Sequence, residues 1–185
     1  MSEKGSWETI KREYPIDNAY LRIRKETVRL PNGQVHGDYY IQESRGWVAV
    51  FCKTLQGEVV LNWQYKHGIG RHVLELPAGG LEPNETPVEC AQRELREETG
   101  YIAQAFEKIG AFVIDPSYVD GLMHVFYCEN ARPGGQKKAD PREEIKNRLV
   151  SVPDLIALVR TGKIEVMGHV AAIYRVLDRK GLWKA

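Results

Sequence analysis

Apolar and polar positions alternate with a two-residue period through the first third of the chain. Leu21 and Ile23 flank one arginine, Val28 and Leu30 flank another, and Pro31-Asn32-Gly33 then supplies a tight-turn signal. The pattern predicts a strand up to that turn and a partner strand over 35–41, a small β-hairpin. Two more strongly apolar runs follow, at 47–52 and 59–65, joined through Gln56-Gly57. A short run over 72–76 reads as a further strand, stopped by Pro77.

The period then changes. Thr86 suits an N-cap, Pro87 the first helical position, Glu89 the far side of a capping box and Gly100 the C-terminal stop. A helix is therefore predicted over 87–99, with Val88, Ala91 and Leu95 as the apolar stripe that packs on a core. Strands are predicted at 106–113 and 122–128, and a polar loop rich in breakers over 130–140. The chain returns to helix at about 153–160 and about 168–179. Strands interspersed with a few helices predict an α/β fold, a mixed sheet covered on both faces.

A length of 185 residues suits one domain of ordinary size with a small N-terminal extension. The expected division is a β extension over 1–45 and a main domain over 46–185. With 43% hydrophobic and 28% charged residues, the chain is expected to be soluble and to bury a core. Its 26 basic and 25 acidic residues leave a formal charge of +1. That balance gives no global field to draw in nucleic acid or an acidic membrane, so neither is an expected partner and any anion site must be local. No stretch approaches the roughly 18 apolar residues that span a bilayer, and Met1 to Trp7 shows no apolar signal segment. Cys52, Cys90 and Cys128 are odd in number, widely spaced and without a CxxC pair. They read as free thiols of a reducing, cytoplasmic setting and not as a zinc site.

The chemistry concentrates at Arg93-Glu94-Leu95-Arg96-Glu97-Glu98. On a helix, Glu94, Glu97 and Glu98 stand three and four positions apart and share a face. Like charges at that spacing repel, and they lie toward the end of the helix that disfavours anions. A hard cation such as magnesium is the simplest compensation; a solvated acidic face is the alternative. The preceding Leu76-Pro77-Ala78-Gly79-Gly80 ends a strand in a glycine turn, where backbone can approach a metal or phosphate closely. Glu85, eight positions before Arg93, is placed to bridge that loop to the helix through a bidentate ion pair.

Gly79, five residues, Glu85, seven residues, then Arg93-Glu94-Leu95-x-Glu97-Glu98-x-Gly100 resembles the Nudix box. The resemblance covers 23 residues and departs only at Tyr101, where the family usually has an aliphatic side chain. It implies a Nudix-type α/β/α sandwich with a mixed sheet, and a Mg²⁺-dependent hydrolase in which Mn²⁺ is a possible substitute. Glu94 and Glu98 would be the main metal ligands, Glu97 would assist directly or through water, and the Ala78 carbonyl would complete the set. Glu97 and Glu98 are also candidates for the catalytic role. Arg93 and Glu85 would hold the loop on the helix, while Gly79 and Gly100 would serve the backbone.

The run from Glu75 to Gly80 is similar to that of ADP-ribose and other nucleoside diphosphate sugar pyrophosphatases. Pro116, about fifteen residues past the box, resembles a proline that marks the ADP-ribose subgroup. The N-terminal strands resemble the extension through which that subgroup forms a homodimer. Lys66 stands where the subgroup often has arginine, and a lysine neutralises phosphate as a point charge without a planar fork. GDP-mannose or another nucleoside diphosphate derivative therefore stays open beside ADP-ribose, as does a silent ligand-binding module. Lys66, Glu75, Pro116 and Tyr20 are the substrate-binding candidates. Tyr20, like Trp7, Tyr14 and Trp63, could stack a nucleobase or pack in the core or a dimer interface. Related pyrophosphatases place the glutamate that serves as base on a loop after the last long strand, and Asp140-Pro141-Arg142-Glu143-Glu144-Ile145 occupies that place. Glu143 is the first candidate and Glu144 the second, with a solvated acidic turn as the alternative. His67, His72, His124 and His169 have no ligand spacing and read as structural or surface groups.

Overall fold

The computed structural model describes residues 5–138 and 144–184, with the Lys184 side chain left aside. The chain forms two compact units: the described residues of Met1–Arg45 with Val113–Leu122, and those of Gly46–Phe112 with Met123–Ala185.

The first unit is an antiparallel three-stranded sheet, β1 (Glu8–Asp17), β2 (Arg22–Arg29) and β3 (Val35–Glu43), in the order β1-β2-β3. The hairpin expected from the sequence is the β2–β3 half; β1 is an addition. Its alternation was uninformative because every residue of β1 is exposed and Pro15 interrupts the run. Pro15 falls within a register shift between Glu13 and Ile16, where its missing N–H is tolerated. Gly33 takes a left-handed φ of +86° in the β2–β3 turn and donates to the Leu30 carbonyl. The segment 113–122 is tied to β3 by reciprocal backbone hydrogen bonds, Gln42 N to Tyr118 O and Asp120 N to Gln42 O. The buried Glu26 carboxylate accepts from Arg12 Nε at 2.8 Å and Thr9 Oγ1 at 3.2 Å.

The second unit holds β4 (Trp47–Thr54), β5 (Val59–Lys66), β6 (Arg71–Glu75), β7 (Ala78–Gly80), α1 (Pro87–Thr99), β8 (Tyr101–Ile102) and β9 (Glu107–Val113, its last residue belonging to the first unit). β10 (Leu122–Pro133, its first residue likewise), β11 (Lys146–Val150), α2 (Val152–Arg160) and α3 (Met167–Arg179) follow. The strands form one mixed sheet in the order β11-β5-β4-β10-β8, with β6 on β5, β7 on β4 and β9 on β10. β4 and β10 run parallel, while β5 pairs antiparallel with β4, β6 and β11. Both faces of β4 are buried, which explains why its sequence is a continuous apolar run instead of an alternating one. Val48, Val50 and Cys52 on one face, with Phe126 and Cys128 of β10, pack under Cys90, Ala91 and Leu95 of α1. On the other face Phe51 packs near Tyr127, and Lys180 at the end of α3 lies over the Tyr127 ring. The result is an α/β/α sandwich.

Sequence expectations change on α1 and after β10. Val88 is exposed, and Cys90 takes its place on the buried stripe of α1. The loop expected over 130–140 begins as strand, because β10 continues to Pro133 through a bulge between Cys128 and Ala131. Asn130 adopts a φ of +55° there, a conformation asparagine tolerates better than most residues.

Candidate active site

α1 is specified at both ends. Thr86 Oγ1 caps the Glu89 N–H while the Glu89 carboxylate accepts from Thr86 N at 2.8 Å, and Pro87 stands in the first turn. Gly100, with φ +75°, returns its N–H to the Arg96 carbonyl. The turn before the helix is held just as firmly. Ala78–Gly80, predicted as a turn, is a short strand pairing antiparallel with Trp47, Val48 and Ala49 of β4. That pairing fixes the glycine backbone beside α1.

Gly79 meets Glu94 directly: a Cβ built on Gly79 would fall inside the Glu94 carboxylate. Glycine is required here by close approach and not by a left-handed φ. Arg93 then binds loop and helix together. Its Nε and Nη2 donate to the two oxygens of Glu85 at 2.7 and 2.9 Å, a bidentate pair, and Nη2 also donates to the Gly80 carbonyl at 3.0 Å. Arg93 Nη1 donates to Glu94 at 2.6 Å and lies 3.7 Å from Glu97. The Arg93 guanidinium holds the Glu85 carboxyl down at a pKa of about 2. Burial pushes the neighbouring Cys90 thiol up to about 12, so it is no nucleophile at neutral pH.

Glu98 is buried, and its Oε2 accepts from Asn62 Nδ2 and from the Ala78 N–H, each at 2.9 Å. Asn62 in turn accepts from Asn147 Nδ2 at 2.8 Å, and the same Nδ2 reaches the Glu98 carbonyl at 3.2 Å. Glu97 faces Arg96 and Lys138 at 3.7 and 3.9 Å. The chain after β10 is docked on the end of α1: Gly134 and Gly135 N–H groups reach the Gly100 carbonyl, and Lys138 N reaches the Glu97 carbonyl.

A second buried polar group lies on β5, β6 and α3. Glu75 accepts from Gln64 Nε2 and Lys66 Nζ through Oε1, the latter at 2.8 Å, and its Oε2 faces His169 Nε2 at 3.4 Å. His169 Nδ1 accepts the Leu76 N–H at 3.2 Å, so the imidazole links α3 to the strand entering the glycine turn. Burial lowers the His169 pKa below its ordinary value.

A family model described as NUDIX domain matches residues 44–170. The chain belongs to the Nudix family. A second model, described as Nucleoside diphosphate sugar hydrolase N-terminal domain, matches residues 7–42. An ADP-ribose pyrophosphatase of Bacillus subtilis is 33% identical over 157 residues, 84% of this chain and 84% of that one. An ADP-ribose pyrophosphatase of Mycobacterium tuberculosis is 32% identical over 138 residues, 74% of this chain and 66% of its own. A solved structure described as an ADP compounds hydrolase matches with a TM-score of 0.83 over 99% of this chain and 98% of that chain. At 19% identity, that likeness is one of fold.

Of the residues singled out from the Nudix-like motif, the structure brings Ala78, Gly79, Glu85, Arg93, Glu94, Glu97 and Glu98 together, with Gly100 closing the helix that carries the glutamates. Lys66 and Glu75 meet in an ion pair, with the Glu75 carboxylate turned into the protein interior. Tyr20 and Pro116 belong to the other unit, Tyr20 in the β1–β2 turn beside Asn18 and Pro116 in an exposed turn after Asp115. Glu143 lies outside the described residues; Glu144 is exposed and pairs with Lys146 at 3.1 Å. Asn62, Gln64, Asn147 and His169 were missed as site residues. A buried asparagine and glutamine inside the apolar run of β5 were the available signal.

Among the described residues, no group of three or more His, Cys, Asp or Glu side chains is gathered closely enough to cage a metal. Each Nudix glutamate has a protein partner instead, as repelling carboxylates require. The donor set nevertheless fits a hard divalent cation. It offers hard oxygens only, and the side-chain-free cradle at Gly79 lets the Glu94 carboxylate sit against backbone.

Proposed function

We propose that this Nudix enzyme hydrolyses the diphosphate bridge of nucleoside diphosphate sugars, with ADP-ribose the favoured substrate. The observation that carries the reading is the pinning of Glu98 and Glu94 against the Ala78-Gly79 backbone. The nucleoside diphosphate sugar hydrolase match over residues 7–42 and the two ADP-ribose pyrophosphatase relatives support the substrate class.

Glu94, Glu97, Glu98 and the Ala78 carbonyl would hold Mg²⁺, or Mn²⁺ in its place. A bound divalent cation neutralises diphosphate oxygens and makes phosphorus more open to attack by water. The chain's own groups supply the rest. Lys66 is partly exposed, and an ammonium has three donors, so beyond Glu75 it has N–H groups to offer a substrate phosphate. A carboxylate takes the proton of the attacking water; Glu143 is the first candidate, with Glu144, Glu97 and Glu98 beside it. Water adds across the bridge, giving a nucleoside monophosphate and a sugar phosphate: AMP and ribose 5-phosphate from ADP-ribose. Tyr20 and Pro116 are kept as substrate-binding candidates on the resemblance to ADP-ribose pyrophosphatases, and Lys66 in place of arginine leaves other nucleotide sugars open as substrates.

The extension over 1–45 is assigned to a homodimer and the remainder, 46–185, to the hydrolase domain. A strand with no buried residue gains little by itself, and Trp7, Ile10, Tyr14 and Ile16 are all exposed on and beside β1. A second copy would cover them, and sedimentation should give twice the chain mass. No helix among the described residues is long and apolar enough to cross a membrane. Three free cysteines suit a reducing, cytoplasmic setting.

The test is a panel of ADP-ribose, other nucleotide sugars and nucleoside triphosphates with Mg²⁺, read by chromatography of products. ADP-ribose should yield AMP. Turnover of triphosphates alone would refute the substrate class, and tight binding of ADP-ribose without cleavage would make the protein a binding module.

A further inference from the structure

Outside the Nudix motif, a relay of three polar side chains leads to Glu98: Asn62 of β5 meets its carboxylate, Asn147 of β11 meets Asn62 and the Glu98 carbonyl, and Lys137 meets Asn147. Asn62 is completely buried, and both ends of its amide are used: Nδ2 donates to Glu98 Oε2 at 2.9 Å, and Oδ1 accepts from Asn147 Nδ2 at 2.8 Å. The register Asn147↔Asn62 places the two amides opposite each other on one face of the sheet. Lys137 Nζ closes the chain by donating to Asn147 Oδ1 at 3.0 Å and to the Ile145 carbonyl at 2.9 Å.

We infer that Asn62 and Asn147, steadied by Lys137, are positioning residues that set the orientation of the Glu98 carboxylate for metal binding. The inference rests on the Nudix reading above. Its physical basis is the direction of the hydrogen bonds. An amide can satisfy Glu98 and Asn147 together in only one of its two flips, since the other sets oxygen against oxygen and nitrogen against nitrogen. Both amides are neutral, so they aim Glu98 without cancelling its charge, as a second cation would. A ligating carboxylate held by outer partners loses less freedom when it takes up a cation, and removal of such partners costs about ten- to a hundredfold in affinity or activity. The same clamp ties β11 to the helix that carries the glutamates.

The test compares wild type with Asn147→Ala, and with Lys137→Ala, whose exposed side chain can be removed without opening the core. Mn²⁺ affinity is read by electron paramagnetic resonance on the free protein without substrate. Turnover of ADP-ribose and the melting temperature are read beside it. The clamp predicts Mn²⁺ binding about tenfold weaker in Asn147→Ala, a kcat lower by about the same factor and KM within about twofold. Lys137→Ala should move the first two in the same direction by a smaller factor, and it carries the comparison if Asn147→Ala does not fold. Mn²⁺ affinity and kcat within about twofold of wild type, with only the melting temperature lowered, would overturn the clamp. Wild type that binds Mn²⁺ but cleaves no nucleotide sugar would overturn the functional reading alone, since the affinity comparison still decides the clamp. Wild type that binds no Mn²⁺ would overturn both.

Discussion

The Glu94 carboxylate occupies the space into which any side chain on Gly79 would grow. Alanine at 79 must therefore displace either the carboxylate or the β7 backbone paired to Val48. Moving the carboxylate is the cheaper response. Gly79→Ala should keep the fold, at a cost of about 1–3 kcal/mol for overpacking, and lower kcat at least about tenfold by displacing a metal ligand. Steady-state kinetics beside thermal denaturation checks this; wild-type turnover in a folded Gly79→Ala protein would show that Glu94 has no fixed role.

The Arg93–Glu85 pair should appear in the acid stability of the fold. Glu85 has a pKa of about 2 in the folded protein against an ordinary 4.5, chiefly because Arg93 hydrogen-bonds its charged form. The stabilisation is complete above about pH 4.5, where both folded and unfolded chains carry the carboxylate. It is lost as pH falls through about 2, and its size is on the order of 2–3 kcal/mol. Glu85→Gln should lower the urea midpoint at pH 7 and flatten its dependence between pH 4.5 and pH 2. An unchanged acid limb in Glu85→Gln would assign that limb to other carboxylates.

What could be read from the sequence was local. Thr86, Pro87, Glu89 and Gly100 bound α1 within one stretch of chain, and the spacing of Glu94, Glu97 and Glu98 follows from the helix alone. The partners of those glutamates were hidden because they come from distant strands: Asn62 stands 36 positions from Glu98, and Asn147 stands 85 from Asn62. His169 reaches Leu76 across 93 positions. No periodicity reports such meetings. β1 was hidden for a different reason, since a strand with no buried face leaves no pattern of burial in its residues. The extension of β10 past Cys128 was masked by Asn130, Pro133 and the glycines after it, residues that signal a turn even where a bulge lets the strand continue.

Glu98→Gln isolates charge from shape. A glutamine at 98 keeps an oxygen for the Asn62 and Ala78 donors but removes the negative charge. Turnover should fall at least about a hundredfold with the fold intact, as expected for loss of a metal ligand or base. Chelation of wild type should have the same effect and be reversed by Mg²⁺ or Mn²⁺, whereas Glu98→Gln should respond weakly to added metal. A near-wild-type rate for Glu98→Gln in a circular-dichroism-verified sample would remove Glu98 from the mechanism.

His169 should make the protein less stable in mild acid. Burial favours its neutral form in the fold: Nδ1 accepts the Leu76 N–H, which leaves the proton of the neutral ring to Nε2, facing Glu75. Burial is the main reason its pKa lies below the ordinary 6.5; Glu75 pulls the other way, and Lys66 adds to the lowering. Protonating Nδ1 would also set two N–H groups against each other at Leu76, which favours the neutral form further. The unfolded chain takes up its proton near pH 6.5 and the folded chain only at lower pH. Stability is therefore unaffected by this group above about pH 6.5 and declines as pH falls below it. His169→Gln can retain an acceptor for the Leu76 N–H without titrating. Its urea midpoint should be lower than wild type at pH 7.5 and converge toward it by pH 5.5. Proton NMR on wild type gives an independent reading, and a His169 titration at or above pH 6.5 would mean that the pull of Glu75 outweighs burial and that the imidazole enters the site charged.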